Sequence, residues 1–398
     1  MTTMLDNAKK LQDELTRLRR DIHANPELGF QEFRTAALVA DTLTELGVDV
    51  KTGVGRTGVV GQIGTGEGPT IAIRADMDAL PILQNNDADY KSQNEGVMHA
   101  CGHDAHTAIL LGTANLLRQS FAEGNWNGNV RFLFQPSEEA FDENGISGAT
   151  AMISDGAMDD VDAVIALHVQ SHRPAGHVKF HDEYSLANVD SFEATIYGDG
   201  GHGAYPHTGV DPLFILSNVM STLYAIPSRR INPLRPCVIS LGEVTAGSAP
   251  NVIPKKVYLQ GTIRSYHQDV REELWQEIEN AFKLSEQMGG RYDLNIIKGY
   301  PSLYNEPTVN DWMRDVASSM LDEADILKNE EFGMGAEDFA YMTQKAKGAM
   351  FMLGAAIDDG IVRNHHTEIF DIDESVMPIG AAILAETARR FVTGKMGN

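Results

Sequence analysis

Met98-His-Ala-Cys-Gly-His-Asp-Ala-His-Thr-Ala108 sets four side chains able to bind a metal, His99, Cys101, His103 and His106, directly ahead of an Ala/Leu-rich run. Side chains two apart do not share a helical face, so Cys101 and His103 can converge on one ion only from irregular backbone, which Gly102 permits. From Asp104 onward the apolar residues recur with a helical period, with Asp104 as the expected N-cap. The stretch therefore reads as a loop feeding a helix, whose positive end favours a thiolate at Cys101. A soft thiolate and an imidazole two residues apart suit Zn²⁺ or a similar divalent ion. A buried cysteine or histidine alone needs only packing or one hydrogen bond, so the rest of the chain decides the reading.

Upstream, Asp21 to Phe30 is turn-rich and leads into a helix over 31–46 that Gly47 closes. Strands follow over 59–63 and 70–74, the second running into Ala75-Asp-Met-Asp-Ala-Leu-Pro81. Acidic residues where a buried strand gives way to a loop occupy the usual active-site position of an α/β sheet. Asp76 and Asp78 point the same way on an extended strand end, although a turn role before Pro81 would account for one of them. Downstream, a strand over 130–134 runs into Gln135-Pro-Ser-Glu-Glu-Ala140. Adjacent carboxylates point apart, so Glu138 and Glu139 can divide proton transfer and metal binding, although an isolated acidic pair after a strand is more often plain solvated surface. The apolar strand over 163–169 carries His168, whose burial demands a partner or a ligand role.

Helices near 31–46, 104–119 and 147–155 alternating with these strands predict an α/β domain with helices on both sides of a mixed sheet. From Ser191 the pattern changes to long amphipathic strands (191–197, 238–244, 256–265) and two helices near 211–225 and 269–289, then a strand over 292–297. That order suggests a smaller α+β sandwich inserted in the first domain. After Gly299, helices over 310–321 and 337–343 and the apolar Ala349 to Leu353 read as the first domain resuming, before Arg363-Asn-His-His-Thr-Glu-Ile-Phe370 and a terminal helix. The predicted division is 1–184 and 299–398 for the larger domain and 185–298 for the insert.

At 398 residues and 42% apolar composition the chain can bury two cores. Thirty-two Lys and Arg against 56 Asp and Glu leave a net charge of −24, which argues against nucleic acid and anionic membranes as partners. Met1 to Arg20 is a charged amphipathic helix pattern without the apolar core of a signal peptide, and no run is long enough to span a bilayer. With only Cys101 and Cys237 present, the expected compartment is the cytoplasm, with both thiols reduced.

The ordered set His23-x-x-Pro26, Arg74-Ala-Asp-Met-Asp-Ala-Leu-Pro81, Met98-His-Ala-Cys-Gly-His-Asp104, Gln135-Pro-Ser-Glu-Glu139, Ala166-Leu-His-Val169, Gly201-His-Gly-Ala-Tyr-Pro-His207, Ser248-Ala-Pro-Asn-Val-Ile-Pro254, Gly335-Ala-Glu-Asp-Phe339 and His365-His366 resembles the di-metal aminoacylase and carboxypeptidase superfamily. Within it the chain is most similar to the amidohydrolase branch of hippurate hydrolases, N-acyl-L-amino-acid amidohydrolases, indole-acetyl-amino-acid hydrolases and N-acetyl-diaminopimelate deacetylases. The resemblance covers nearly the whole chain. It implies a zinc-peptidase-like catalytic domain interrupted by a ferredoxin-like lid that forms a homodimer.

Carried over position by position, the resemblance implies Cys101, His103, Glu139, His168 and His366 as ligands of two divalent ions per subunit. Zn²⁺ or Mn²⁺ come first, and such donors also accept Co²⁺ or Ni²⁺. It implies Glu138 as general base, Asp78 as the carboxylate orienting a ligand from behind, His202 as an oxyanion donor reaching across the dimer, and Arg264 with Asn251 as the grip on a substrate carboxylate. Related branches carry an Asp where Cys101 stands, so its thiolate would bridge the two ions. His366 is preferred to His365 for its place before Phe370-Asp-Ile-Asp-Glu374, and His99 and His106 are left to structural roles. One departure is the insert Ala140-Phe-Asp-Glu-Asn-Gly-Ile146, where many relatives turn at once through glycines; it bears on acyl preference.

The activity implied is hydrolysis of N-acyl-L-amino acids to a carboxylic acid and an amino acid, the alternative being a metallo-dipeptidase or carboxypeptidase of the same fold. A binding-only descendant would lack a ligand or the base. A nucleotide-binding reading of Gly198-Asp-Gly-Gly-His-Gly203 fails, because that cluster does not sit between a first strand and its helix in the G-x-G-x-x-G pattern.

Overall fold

Parallel strands buried on both faces need near-continuous apolar sequence, and Thr70–Asp76, Asn129–Gln135 and Ala163–Pro174 supply it. In the computed structural model, which describes residues 3–330 and 332–396, they lie inside an eight-stranded mixed sheet. Its order is Asp49–Val54, Gly58–Gly64, Asn129–Gln135, Thr70–Asp76, Ala163–Pro174, Lys347–Ala356, Val178–Phe180, Ile326–Lys328. The four central strands run parallel, with Arg74 opposite Leu133 and Ala166, and Asp76 opposite Gln135. Asp76 with Asp78, and Glu138 with Glu139, therefore leave neighbouring strands at the same carboxyl edge. That is where open α/β sheets bind ligands.

The helix His103–Ala122 packs on the terminal helix Met377–Val392 and on Gln12–Ala24. Its N-cap is Gly102, at φ +94, and not Asp104 as expected; Asp104 sits inside the first turn, where its carboxylate meets Arg19 and His23. A Cβ at Gly102 would collide with Val169, so the loop closes on the strand only with glycine there. The expected single N-terminal helix is two, Met4–Lys9 and Gln12–Ala24, broken where Leu11 turns onto the core. Met1 and Thr2 of that expectation lie outside the described residues.

The chain divides into two units, 1–183 with 304–332 and 338–398, and 184–303 with 333–337. The second unit is a four-stranded antiparallel sheet in the order Cys237–Ala246, Lys256–Ser265, Asn188–Tyr197, Arg291–Lys298. The helices Pro212–Arg229 and Gln268–Gln287 pack on it, giving the strand-helix-strand-strand-helix-strand order of a ferredoxin-like fold. Residues 299–303 stay with this unit, because Gly299 N–H donates to Asp190 and Val189 N–H donates to Tyr300. Among the described residues no helix is long and apolar enough to cross a membrane.

Candidate metal centre

Leu80 and Met98 exchange backbone hydrogen bonds of 3.0 and 2.9 Å, stitching the Asp76 to Pro81 loop to the Met98 to Gly102 loop. His366, at φ +60, gives its backbone N–H to Ala100 O at 2.8 Å, which brings a third loop to the same place. The five expected ligands meet there. Cys101, His103 and His168 form one group and Cys101, Glu139 and His366 another, donor atoms within each lying within 4.8 Å of one another. Cys101 is common to both groups. A third, His103 with Glu138 and Glu139, links them, whereas His365 joins none of the groups found among the described residues.

Ring geometry says which nitrogens are bare. His103 Nδ1 faces two acceptors, the Asp78 carbonyl at 3.0 Å and Asp78 Oδ1 at 3.2 Å, so it carries the proton and Nε2 is left to the cluster. The other Asp78 oxygen, Oδ2, accepts the Glu139 N–H at 2.9 Å. His168 Nδ1 lies 2.7 Å from Val169 O, which leaves its Nε2 bare, 3.5 Å from Cys101 Sγ. His106 differs: Nδ1 meets Asp76 Oδ1 at 2.6 Å and Nε2 accepts the Val169 N–H at 2.9 Å. With both nitrogens engaged, His106 fixes the strand that carries His168 and has no lone pair to offer, although Asp76, His103 and His106 also lie close enough to form a group.

The electrostatics favour positive charge at this place. His103 Nε2 is buried with no hydrogen-bond partner, 3.9 Å from Glu139 Oε1, which in turn lies 2.9 Å from His366 Nε2. Burial works to lower the His103 pKa, but Asp76, Asp78 and Glu139 outweigh it and raise it to about 10. Burial, then Glu139, Glu138 and Asp76, push the Cys101 thiol well above its ordinary range. The helix end therefore does not by itself make a thiolate there, as the sequence suggested; a cation would. Burial would raise the Asp76 carboxyl, yet His103, Arg74 and His106 hold it well below the usual range. Sulfur, imidazole and carboxylate donors converging in one place, buried except at His366, fit divalent ions.

Behind the cluster lies a network among Arg74, Asp76, Gln135 and Asp338, residues of the motifs above that carry no expected role apart from the acidic strand end. Arg74 donates to Gln135 Oε1 (2.9 Å), Asp76 Oδ2 (2.7 Å) and Asp338 Oδ1 (3.1 Å). Gln135 also donates to Asp338 Oδ1 at 2.7 Å, and the Asp338 N–H points at Glu138 Oε1 at 3.4 Å. The available signal was an arginine inside a fully buried strand, which must be paired. Its partner Asp338 is 264 positions away, beyond any local pattern.

In the second unit, His202 and Asn251 come together on a short ribbon, His202 pairing with Val252 and the Gly203 N–H donating to Asn251 O at 2.8 Å. His202 is exposed and accepts the Ala204 N–H through Nδ1 at 3.1 Å. Arg264 lies apart from them in the four-stranded sheet, half-buried between Val189 and Val238, where burial lowers its pKa against the pull of Asp190.

Residues 72–390 match the model of peptidase family M20/M25/M40. Thermostable carboxypeptidase 2 of Saccharolobus solfataricus is 38% identical over 97% of both chains. N-acetyl-L-cysteine deacetylase of Bacillus subtilis is 37% identical over 97% of this chain and 90% of its own. The solved YXEP protein of Bacillus subtilis, a dinuclear metal binding peptidase from the M20 family, superposes with a TM-score of 0.82 at 30% identity, over 96% of this chain and 99% of its own. Extent and identity together leave one conclusion: the chain belongs to peptidase family M20/M25/M40 and is a metal-dependent hydrolase of that fold.

Proposed function

We propose that the protein hydrolyses the amide of N-acyl-L-amino acids, releasing a carboxylic acid and the free amino acid. The observation that carries this reading is the pair of donor groups sharing Cys101, with Glu138 beside both His103 and Glu139. Cys101, His103 and His168 would hold one divalent ion and Cys101, Glu139 and His366 the other. Ions bound there supply Lewis acidity toward the amide carbonyl and toward water. Glu138 takes a proton from the attacking water as the C–O bond forms, and returns it to the amine nitrogen as the C–N bond breaks. Asp78 keeps the His103 proton on Nδ1 and braces the Glu139 backbone.

Arg264 and Asn251 would hold the free α-carboxylate, a guanidinium gripping it through two parallel hydrogen bonds. His202 would donate to the developing oxyanion from a partner protomer, in a homodimer formed through the second unit. Both roles rest on the matching of motifs. The carboxypeptidase among the relatives favours a second reading, cleavage of a C-terminal residue or a dipeptide by the same centre. Metal analysis of the purified chain, followed by assay of N-acetyl and N-benzoyl amino acids against dipeptides with Zn²⁺, Mn²⁺, Co²⁺ or Ni²⁺ restored, separates the two. Turnover of dipeptides alone would overturn the first.

A further inference from the structure

Two residues other than glycine take left-handed backbone next to each other in space. Phe30 is at φ +59 and Ser137 at φ +43, a region that costs an L side chain and persists only where the surroundings hold it. One atom holds both. Glu32 Oε1 accepts the Phe30 N–H at 3.0 Å and the Ser137 N–H at 2.9 Å, while its other oxygen accepts the Thr57 hydroxyl. Ser137 is fastened on its remaining sides as well. Its carbonyl accepts the Gly148 N–H at 2.9 Å, its hydroxyl donates to Ala140 O at 2.9 Å, and a Cβ at Gly29 would collide with its side chain. Glu32 itself is wholly buried, and its hydrogen bonds go to Phe30, Thr57 and Ser137 rather than to a donor of the metal centre.

Ser137 is the residue before Glu138 and Glu139. Its φ sets the direction in which the chain leaves the strand Asn129–Gln135, and so which of the two adjacent carboxylates turns toward which task. We propose that Glu32 is a positioning residue: by clamping the left-handed Phe30 and Ser137 through one oxygen, it fixes the Ser137-Glu138-Glu139 hinge at the angle where Glu138 handles the proton and Glu139 the metal. The inference rests on the functional reading above and adds to it a residue more than a hundred positions upstream of the hinge.

The test compares Glu32→Ala, Glu32→Gln and the double variant Glu32→Ala with Ser137→Gly, all in the full chain. Steady-state kinetics on an N-acyl amino acid are measured beside Mn²⁺ titration of chelator-treated protein by calorimetry. In Glu32→Ala, kcat falls about tenfold or more with KM little moved, and Mn²⁺ affinity falls about tenfold, the range for losing a group that orients a ligand. Glutamine presents the same acceptor oxygen, and the Thr57 hydroxyl can turn to accept from its amide; Glu32→Gln therefore stays within about threefold of wild type on both readouts. Glycine takes φ +43 unaided, so Ser137→Gly restores part of what Glu32→Ala loses. A Glu32→Ala protein with a lowered melting temperature but unchanged kcat and Mn²⁺ affinity would make Glu32 a packing residue and overturn the proposal. So would a Glu32→Gln protein as impaired as the alanine variant, the readout that serves if alanine prevents folding. If the wild type cleaves no N-acyl amino acid, the functional reading fails while the Mn²⁺ titrations still decide the clamp.

Discussion

Replacing Asp78 by alanine removes two contacts at once, Oδ1 from His103 Nδ1 at 3.2 Å and Oδ2 from the Glu139 N–H at 2.9 Å. The first is partly covered, because the Asp78 carbonyl, 3.0 Å from the same nitrogen, remains in the variant. The second has no substitute, and it anchors the backbone of the residue shared between the donor groups containing His366 and His103. Losing one charge-assisted hydrogen bond costs about 1.5–3 kcal/mol, and each 1.4 kcal/mol is about tenfold, so metal affinity and kcat should each fall roughly 10- to 100-fold. Asp78→Asn is the informative companion. Its amide can accept from Glu139 N–H with the oxygen only by turning its own N–H₂ toward His103 Nδ1, which pushes the imidazole proton to Nε2 and spoils the lone pair facing the cluster. Its loss should therefore approach that of alanine in metal affinity despite near-identical size. Zn²⁺ and Mn²⁺ binding by competition with a chromophoric chelator, alongside turnover of an N-acyl amino acid, reads both quantities. Asparagine and alanine variants that bind metal as the wild type does would refute the argument that Asp78 sets the His103 tautomer and braces Glu139.

Glu138→Gln should retain metal and lose most of kcat; near-normal turnover would remove Glu138 as the base. Arg264→Ala should lower kcat/KM about tenfold or more for an N-acyl amino acid, from a lost contact worth about 1.5–3 kcal/mol, and far less for the corresponding amide. Equal wild-type rates on acid and amide would remove carboxylate recognition. His202→Ala should lose kcat while keeping metal and a dimer measured by light scattering, and a fully active monomer would refute donation from a partner protomer. Burial, and then Asp78, raise the Glu32 carboxyl from 4.5 to about 7. The folded chain thus holds this proton more tightly than the unfolded one, so its stabilising share is whole below pH 4.5 and is lost as pH rises through about 7, a difference of roughly 3 kcal/mol. Melting temperatures across that window should fall less in Glu32→Gln than in wild type, and parallel curves would remove Glu32 as the titrating group.

The sequence by itself determined the inventory of donors and the order of the layers. Thiol, imidazole and carboxylate chemistry resides in side-chain type, and burial on two faces or one imposes a period on the residues, so the Cys101 loop, the Glu138-Glu139 pair, the buried His168 and the change of pattern near Ser191 were all legible. Tertiary structure alone decided which nitrogens are bare. By residue chemistry alone His103 and His106 are equally good ligands; the family resemblance favours His103, and the physical reason is the contacts of the far ring nitrogen, since Asp78 leaves one lone pair open while Asp76 and Val169 consume both nitrogens of the other. The cap of the helix His103–Ala122 is Gly102 and not the expected Asp104 for the same reason, because Asp104 has stronger partners in Arg19 and His23 than the helix end provides. The Arg74, Gln135 and Asp338 network and the Glu32 clamp on Ser137 join residues far apart in the chain. A buried charge calls for a partner without naming it, and its identity is settled only when the chain closes on itself.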